Sequence, residues 1–161
     1  MSGAENVAIS QCDPTGSGFP LLDAEGWTQT SPADNKYNCI AWAVGENQRW
    51  WWPWCLPPVF WPDTPGEDPS LDTFARAFAS LSFERCDDGR LEHGWEKIAL
   101  YVHEGEVTHA ARQLPTGRWT SKLGKNVDIE HTLRGLEGPL YGRVVCFMKR
   151  PTRSSTTQEH R

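Results

Sequence analysis

Two segments in the first half of the chain carry the hydrophobic pattern of short helices. After Asn38, a good N-cap residue, come the small and apolar residues Cys-Ile-Ala-Trp-Ala, and Gly45 predicts the end of this helix. Within residues 70–81, apolar side chains recur every three or four positions, which predicts a second helix with one apolar face. Between these helices, prolines interrupt an aromatic segment and predict irregular backbone there.

The second half of the chain instead alternates between apolar and polar positions, which is the pattern of strands. We expect strands over 96–102, 107–114, 118–123 and 142–149, a hairpin turn at 103–105, and a short helix over 129–136. Helices followed by an antiparallel meander predict an α+β fold, with N-terminal helices packed on a C-terminal antiparallel sheet.

The length of the chain indicates one domain. Of its 161 residues, 38% are hydrophobic and 23% are charged, which is sufficient for a single core. We expect the folded body to span residues 27–150. Residues 1–26 are expected to form a flexible lead-in, and residues 151–161 a disordered tail.

Charge and cysteine content narrow the class of protein. A formal net charge of -5 disfavours generic nucleic-acid binding, and no apolar run is long enough for a membrane span. The N-terminus lacks the pattern of a secretory signal. The five cysteines include no CxxC pair, so we expect free thiols in a cytoplasmic protein, with a disulfide between Cys39 and Cys55 as the alternative. The oligomeric state is left open.

Cys39 is the candidate nucleophile. It follows the predicted cap, where unpaired backbone N–H groups and the helix dipole favour the thiolate form. A thiolate is the attacking group of cysteine hydrolases and acyltransferases. A buried cysteine that only fills space is the alternative.

His109 lies in a predicted strand beside small residues, on the same face as Val107, Ala111 and Gln113, and is the candidate base.

A third polar group would orient the imidazole of His109. Ser121, Asn126 and Asp128 are candidates, and Asp128 is preferred because a carboxylate also stabilises an imidazolium. A cysteine on an early helix and a histidine on a later strand are similar in layout to papain-like and transglutaminase-like enzymes. The sequence departs from papain itself, because it has neither the Gln-x-Gly-x-Cys-x-x-Cys-Trp run nor Asn-Ser-Trp after the histidine.

The segments YNCIAWAVGE, RWWWP, THAARQLPTGRWTSKLG and DIEH resemble an uncharacterised bacterial domain family over roughly residues 27–150. This resemblance implies no activity. The motif positions fall on Asn38, Cys39, Trp50, Trp51, Trp52, His109, Arg112, Trp119, Lys122 and Asp128.

Tryptophan is unusually frequent, with nine in the chain and six of them between Trp42 and Trp61. These rings form either a second apolar core or a binding surface. If Cys39 is catalytic, we expect the substrate, a protein or peptide, to be bound by Asn38, Trp50, Trp51, Trp52, Arg112 and Trp119. The hypothesis is then a papain-like cysteine hydrolase or acyltransferase that needs no cofactor.

Two other functions remain open at this stage. A non-enzymatic protein- or carbohydrate-binding module would use the tryptophan-rich segment, and an accessory protein would use the acidic surface. Asp128 and His131 lie three residues apart, but a metal site needs two more ligands, so we expect none.

Overall fold

A seven-stranded antiparallel sheet forms the centre of the computed structural model, which describes residues 13–16, 18–53, 59–62 and 68–152. The elements in chain order are α1 (Leu22–Glu25), β1 (Thr28–Ser31), α2 (Cys39–Ala43), α3 (Leu71–Ala79), β2 (Glu84–Cys86), β3 (Trp95–His103), β4 (Glu106–Gln113), β5 (Trp119–Lys122), β6 (Asp128–His131), a 3-10 helix (Arg134–Leu136) and β7 (Arg143–Pro151). The strand order across the sheet is β1-β6-β5-β4-β3-β7-β2. Much antiparallel sheet with a few short helices agrees with the expected α+β class.

The long strands lie where the alternation predicts them. Strands β3, β4, β5 and β7 match the expected positions, and the turn between β3 and β4 has positive φ at Glu104 (53°) and Gly105 (83°). Two such residues in succession match the twist of a tight hairpin. The helix predicted over 129–136 is wrong. Its first part is β6, which pairs with both β5 and β1, and its last part is the 3-10 helix.

One side of the sheet, which we call the helical face, is covered by α2 and α3. Ile98, Leu100, Ala110 and Met148 contribute buried side chains from the strands to this apolar cluster. Phe74 and Phe78 from α3 complete the contact, as the predicted apolar face of that helix requires. Cys39 belongs to the same cluster.

The other side of the sheet, the opposite face, is covered by residues 18–27 and the segment that contains the 3-10 helix. Phe19 and Leu22 are 3% and 0% exposed and pack with Tyr101 and Tyr141 in a second apolar cluster. Packing therefore begins before residue 27, within the segment expected to be a flexible lead-in. Residues 1–12 and 153–161 lie outside the described residues.

Within the described part of the chain, the longest helix has nine residues, and none is long and apolar enough to cross a membrane.

Candidate functional site

The start of α2 has the local structure that the sequence predicts. The Asn38 side chain accepts a hydrogen bond from the Ala41 backbone N–H at 3.3 Å, so Asn38 is the N-cap and Cys39 is the first helical residue. Cys39 is nevertheless only 7% exposed, within the apolar cluster of the helical face. This is the environment expected of a cysteine that fills space.

The Asn38 amide also holds the aromatic segment in place. Its Nδ2 donates to the Trp51 carbonyl at 2.8 Å, and its Oδ1 accepts from the Trp51 backbone N–H at 3.1 Å. Both ends of the side chain are therefore occupied by backbone groups. Asn38 was predicted to contact substrate, but its contacts give it a structural role.

The structure does not bring His109 to Cys39. Side chains on β4 alternate between the two faces, so Ala110 packs in the cluster of Cys39 while His109 points to the opposite face. There the imidazole of His109 stacks on Tyr141 at 4.1 Å between ring centroids and contacts Tyr101 edge to face. The sheet itself separates the predicted nucleophile from the predicted base, and this corrects the predicted pairing.

His109 instead belongs to a buried chain of three polar side chains. Its Nε2 lies 2.8 Å from the Ser121 hydroxyl, which lies 2.7 Å from Nε2 of His131. All three side chains are 0% exposed. Ser121 is one of the three predicted candidates for the partner of His109, whereas His131, considered as a metal ligand beside Asp128, is not among them. The signal in the sequence is the spacing: Ser121 follows His109 by 12 residues and precedes His131 by 10, so each pair can meet across a hairpin of neighbouring strands.

The positions of the protons in this row of hydrogen bonds follow from the contact at its end, between His131 and Thr132. Nδ1 of His131 lies 2.6 Å from the Thr132 carbonyl, which only accepts, so Nδ1 carries the proton. In a neutral His131 the other nitrogen, Nε2, accepts from the Ser121 hydroxyl. Ser121 then has no second proton to give, so Nε2–H of His109 must donate to it. This leaves an unprotonated Nδ1 on His109, and that atom has no partner among the described residues.

Burial keeps both imidazoles neutral. Desolvation lowers the pKa of His109 well below its usual value, and the nearby His131 lowers it further. Desolvation also lowers the pKa of His131 to about 4, although its bond to the Thr132 carbonyl opposes the change. A general base must come within hydrogen-bond distance of the reacting group. A substrate cannot reach the buried imidazole of His109, so His109 does not form an open active site.

Asp128 lies on the helical face and does not orient His109, so its predicted role is also corrected. Its two carboxylate oxygens accept from the Thr30 hydroxyl at 2.8 Å and from the Tyr37 hydroxyl at 2.9 Å. Burial raises the pKa of Tyr37, and its bond to Asp128 adds to that effect. Asp128 therefore fixes the segment that leads into α2.

The remaining predicted substrate residues are dispersed. Arg112 donates from Nε to the Trp42 carbonyl at 3.1 Å and lies over the Trp42 ring, and burial lowers its pKa. Trp119 is buried on the opposite face against Phe147. Lys122 is also buried, with its ammonium bonded to the carbonyls of Asp34 and Gly124. Trp119 therefore lies on the opposite face from Cys39, while Arg112 and Lys122 are held by bonds to backbone carbonyls.

The described part of the tryptophan-rich segment contains fully buried rings and partly buried rings. Trp51 and Trp61 are 4% and 6% exposed in the core of the helical face, and half-buried Trp52 packs edge to face on Phe74. Trp50 and Phe60 are partly buried, as Trp52 is, and their backbones join through the bond from Phe60 N–H to the Trp50 carbonyl at 2.8 Å. Trp54 lies outside the described residues.

A cation lies over each of the Trp50 and Phe60 rings. The Arg49 guanidinium is 3.6 Å from the centre of the Phe60 ring, and Nζ of Lys125 is 5.9 Å from that of Trp50. Arg49 also pairs with Glu46 at 3.0 Å. We call Arg49, Trp50, Phe60 and Lys125 the aromatic–cationic surface.

A separate groove of about 500 Å³ lies beside β2 and is lined by charged side chains and half-exposed Cys86. Its lysines are paired: Lys97 contacts Glu92 at 2.8 Å, and Lys149 contacts the same carboxylate at 3.1 Å. Burial raises the pKa of the Cys86 thiol, which disfavours a reactive thiolate. Across the described ranges, no group of three His, Cys, Asp or Glu side chains is placed to hold a metal ion.

Comparisons with known proteins identify a family without assigning an activity. No curated protein matches the chain, and no solved structure matches it. One family model matches residues 28–149, which is most of the chain and nearly all of the predicted body. The chain therefore belongs to the family described as a domain of unknown function, DUF7689.

Proposed function

We propose that this chain is a non-enzymatic binding module that recognises a protein segment through its aromatic–cationic surface. The observation that carries the proposal is the pair of partly buried rings, Trp50 and Phe60, each with a cation across its face. Aromatic and arginine side chains are the groups that most often dominate the energetics of protein interfaces.

The Trp50 and Phe60 rings are supported by the buried residue Trp51. Rings that are already fixed lose little conformational freedom when a ligand binds, which favours binding. Trp51 follows Arg49 and Trp50 in the sequence, and both of its backbone polar groups bond to Asn38. Its ring packs against Phe60 at 5.0 Å between centroids. The core thus fixes the position of Phe60, and the backbone bond between Phe60 and Trp50 joins Trp50 to it.

The cations favour a protein partner over a carbohydrate. A sugar ring packs on an open aromatic face, whereas here the faces of Trp50 and Phe60 carry Lys125 and Arg49. A protein segment with carboxylates next to apolar side chains would pair with both cations and place its apolar side chains against the parts of the rings that the cations leave open. We therefore expect an acidic, partly apolar segment as the ligand.

The test is a direct binding measurement with matched variants. A partner captured by cross-linking would be reduced to its cross-linked segment, made as a peptide, and titrated by calorimetry. Trp50→Ala with Phe60→Ala should weaken binding by about 30-fold or more, as expected for loss of two central anchors. The control is Leu91→Ala with Val145→Ala, because these side chains are 52% and 48% exposed elsewhere.

Charge reversal identifies the ligand class. Arg49→Glu with Lys125→Glu should abolish binding of an acidic peptide, but it would leave intact a carbohydrate that only packs on rings. Equal affinity of the wild type and the Trp50/Phe60 variant would refute the proposal.

A papain-like cysteine hydrolase remains the second candidate, supported by the position of Cys39 as the first residue of α2. Against this candidate, His109 and His131 lie on the opposite face of the sheet from Cys39. Under the binding proposal, Cys39→Ser should leave peptide affinity unchanged. The expected cytoplasmic location and bacterial origin stay predictions.

A further inference from the structure

The buried His109–Ser121–His131 chain is linked to the cover of the opposite face at both of its ends, through Tyr141 at one end and Thr132 at the other. We use the term N-terminal cover for residues 18–26. At the His109 end, Tyr141 stacks on the imidazole with an angle of 11° between the rings, and Phe19 of the cover packs on Tyr141 at 5.2 Å. The first imidazole thus supports the aromatic stack on which the cover rests.

At the His131 end, the connection to the cover is made by hydrogen bonds. His131 donates to the Thr132 carbonyl at 2.6 Å, and the Thr132 hydroxyl donates to Glu25 of α1 at 2.8 Å. Arg134 approaches the same carboxylate at 3.5 Å. α1 has only four residues and contacts chiefly the 3-10 helix, so these links add to the apolar packing of Leu22 that attaches it.

When both histidines are neutral, the hydrogen bonds of the His109–Ser121–His131 chain fit only one placement of the protons. Three donors meet three acceptors in sequence, from His109 to Ser121, to His131 and to the Thr132 carbonyl. A proton added to Nε2 of His131 removes the acceptor of the Ser121 hydroxyl. A proton added to Nδ1 of His109 creates a buried cation with an N–H that has no acceptor within the described residues.

We propose that this chain is an acid-sensitive latch: protonation of its imidazoles releases the N-terminal cover, while the sheet and the helical face stay folded. The proposal does not depend on the binding function, since the aromatic–cationic surface lies elsewhere.

The charged and titratable groups around the latch come from every element packed against it. They are Glu25 on α1, Tyr101 on β3, Arg118 at the end of the β4–β5 turn, Glu130 on β6, Arg134 on the 3-10 helix, and Glu137 and Tyr141 after it. Arg118 pairs with Glu130 at 3.0 Å and still disfavours a charged His131. Glu25 is a carboxylate of the cover that is linked to His131 through Thr132, so it needs its own control.

The direction of the pH effect follows from burial. Both imidazoles have a pKa below the usual value when the cover is closed, and they regain that value when the cover opens to water. The open state therefore binds more protons. The closed state is fully favoured above about pH 6.5, and it is lost progressively as the pH falls toward 4, the pKa of His131 in the closed state.

Hydrogen exchange between pH 7 and pH 4.5, corrected for the intrinsic rate, tests the latch. The amides of Leu22, Glu25 and Gly26 are bonded within the cover and report its opening. Their protection should fall by about tenfold or more at pH 4.5, while amides of β3 and β7 keep theirs. Simultaneous loss of protection in the cover and in β3 would overturn the proposal.

Non-titrating mimics provide the decisive comparison. In the double variant, His109→Gln keeps a donor near Nε2 and His131→Asn keeps a donor near Nδ1, so opening of the cover should no longer depend on pH. Glu25→Gln should retain the wild-type dependence, because the imidazoles are intact. A double variant that opens at the wild-type pH would overturn the latch.

A measurement on the wild type covers the case in which the double variant does not fold. The imidazole of His131 can be titrated by NMR in the intact chain. Its midpoint should coincide with the pH at which the amides of the cover lose protection. Midpoints that differ by more than about one pH unit would show that another group opens the cover.

Discussion

Asn38 connects the start of α2 with the tryptophan-rich segment, and we expect Asn38→Ala to destabilise the whole domain. The side chain is 3% exposed and makes three bonds to backbone groups, one to Ala41 and two to Trp51. Loss of the cap costs about 1 kcal/mol. Leaving the buried N–H and carbonyl of Trp51 without partners costs about 1 to 3 kcal/mol for each group. The expected loss in the free energy of unfolding is therefore about 3 to 7 kcal/mol, a large part of the stability of a small domain.

Urea denaturation of matched variants separates these contributions. Asn38→Ser restores a capping oxygen but is too short to reach Trp51, so it should recover about 1 kcal/mol relative to alanine. Asn35→Ala, at an exposed position three residues earlier, should change stability by less than about 0.5 kcal/mol. An Asn38→Ala variant within about 1 kcal/mol of the wild type would refute the structural role of this side chain.

Three further predictions concern a turn, a buried cation and the cysteines. Gly142→Ala should abolish folding or lower the free energy of unfolding by more than about 3 kcal/mol in urea denaturation, since its φ is 81° and a Cβ would overlap the Val102 carbonyl. Gly105 has a similar φ of 83° but lies in open space, so Gly105→Ala should cost only about 1 to 2 kcal/mol. Lys122→Met should cost about 2 to 4 kcal/mol, because two partly buried carbonyls lose their donor and the lysine itself is buried, and equal stability of Lys122→Met and Lys125→Met would contradict this. Iodoacetamide should label half-exposed Cys86 before buried Cys39 and Cys146, and fast labelling of Cys39 below pH 7 would instead support the enzyme hypothesis.

The sequence predicts the elements whose side chains alternate between water and a core. Strands β3, β4 and β7 bury one or both faces, so their apolar residues reveal them. Strand β1 has the sequence Thr-Gln-Thr-Ser and is mostly exposed, and it forms because β6 offers it an edge. Such pairing is a property of the tertiary structure, so a local pattern does not show it.

The candidate site was harder to predict, because it depends on which face of β4 each side chain occupies. Alternation correctly groups His109 with Ala111 and Gln113, but Val107 lies on the helical face instead. The pairing of β3 with β4 shifts between Tyr101 and Val102, which leaves Thr108 as an extra residue and reverses the alternation. The sequence also does not show which face α2 covers, and this decides whether Cys39 can meet His109.

The two outer strands of the sheet affect how the molecule behaves at high concentration. β1 has four residues and a register shift between Gln29 and Ser31, and β2 has only three residues. A short or irregular edge offers few consecutive backbone groups to another chain, so it resists the strand-by-strand addition that leads to fibrils. Although the long central strands are rich in apolar residues, the folded sheet ends on both sides in a form that limits its growth.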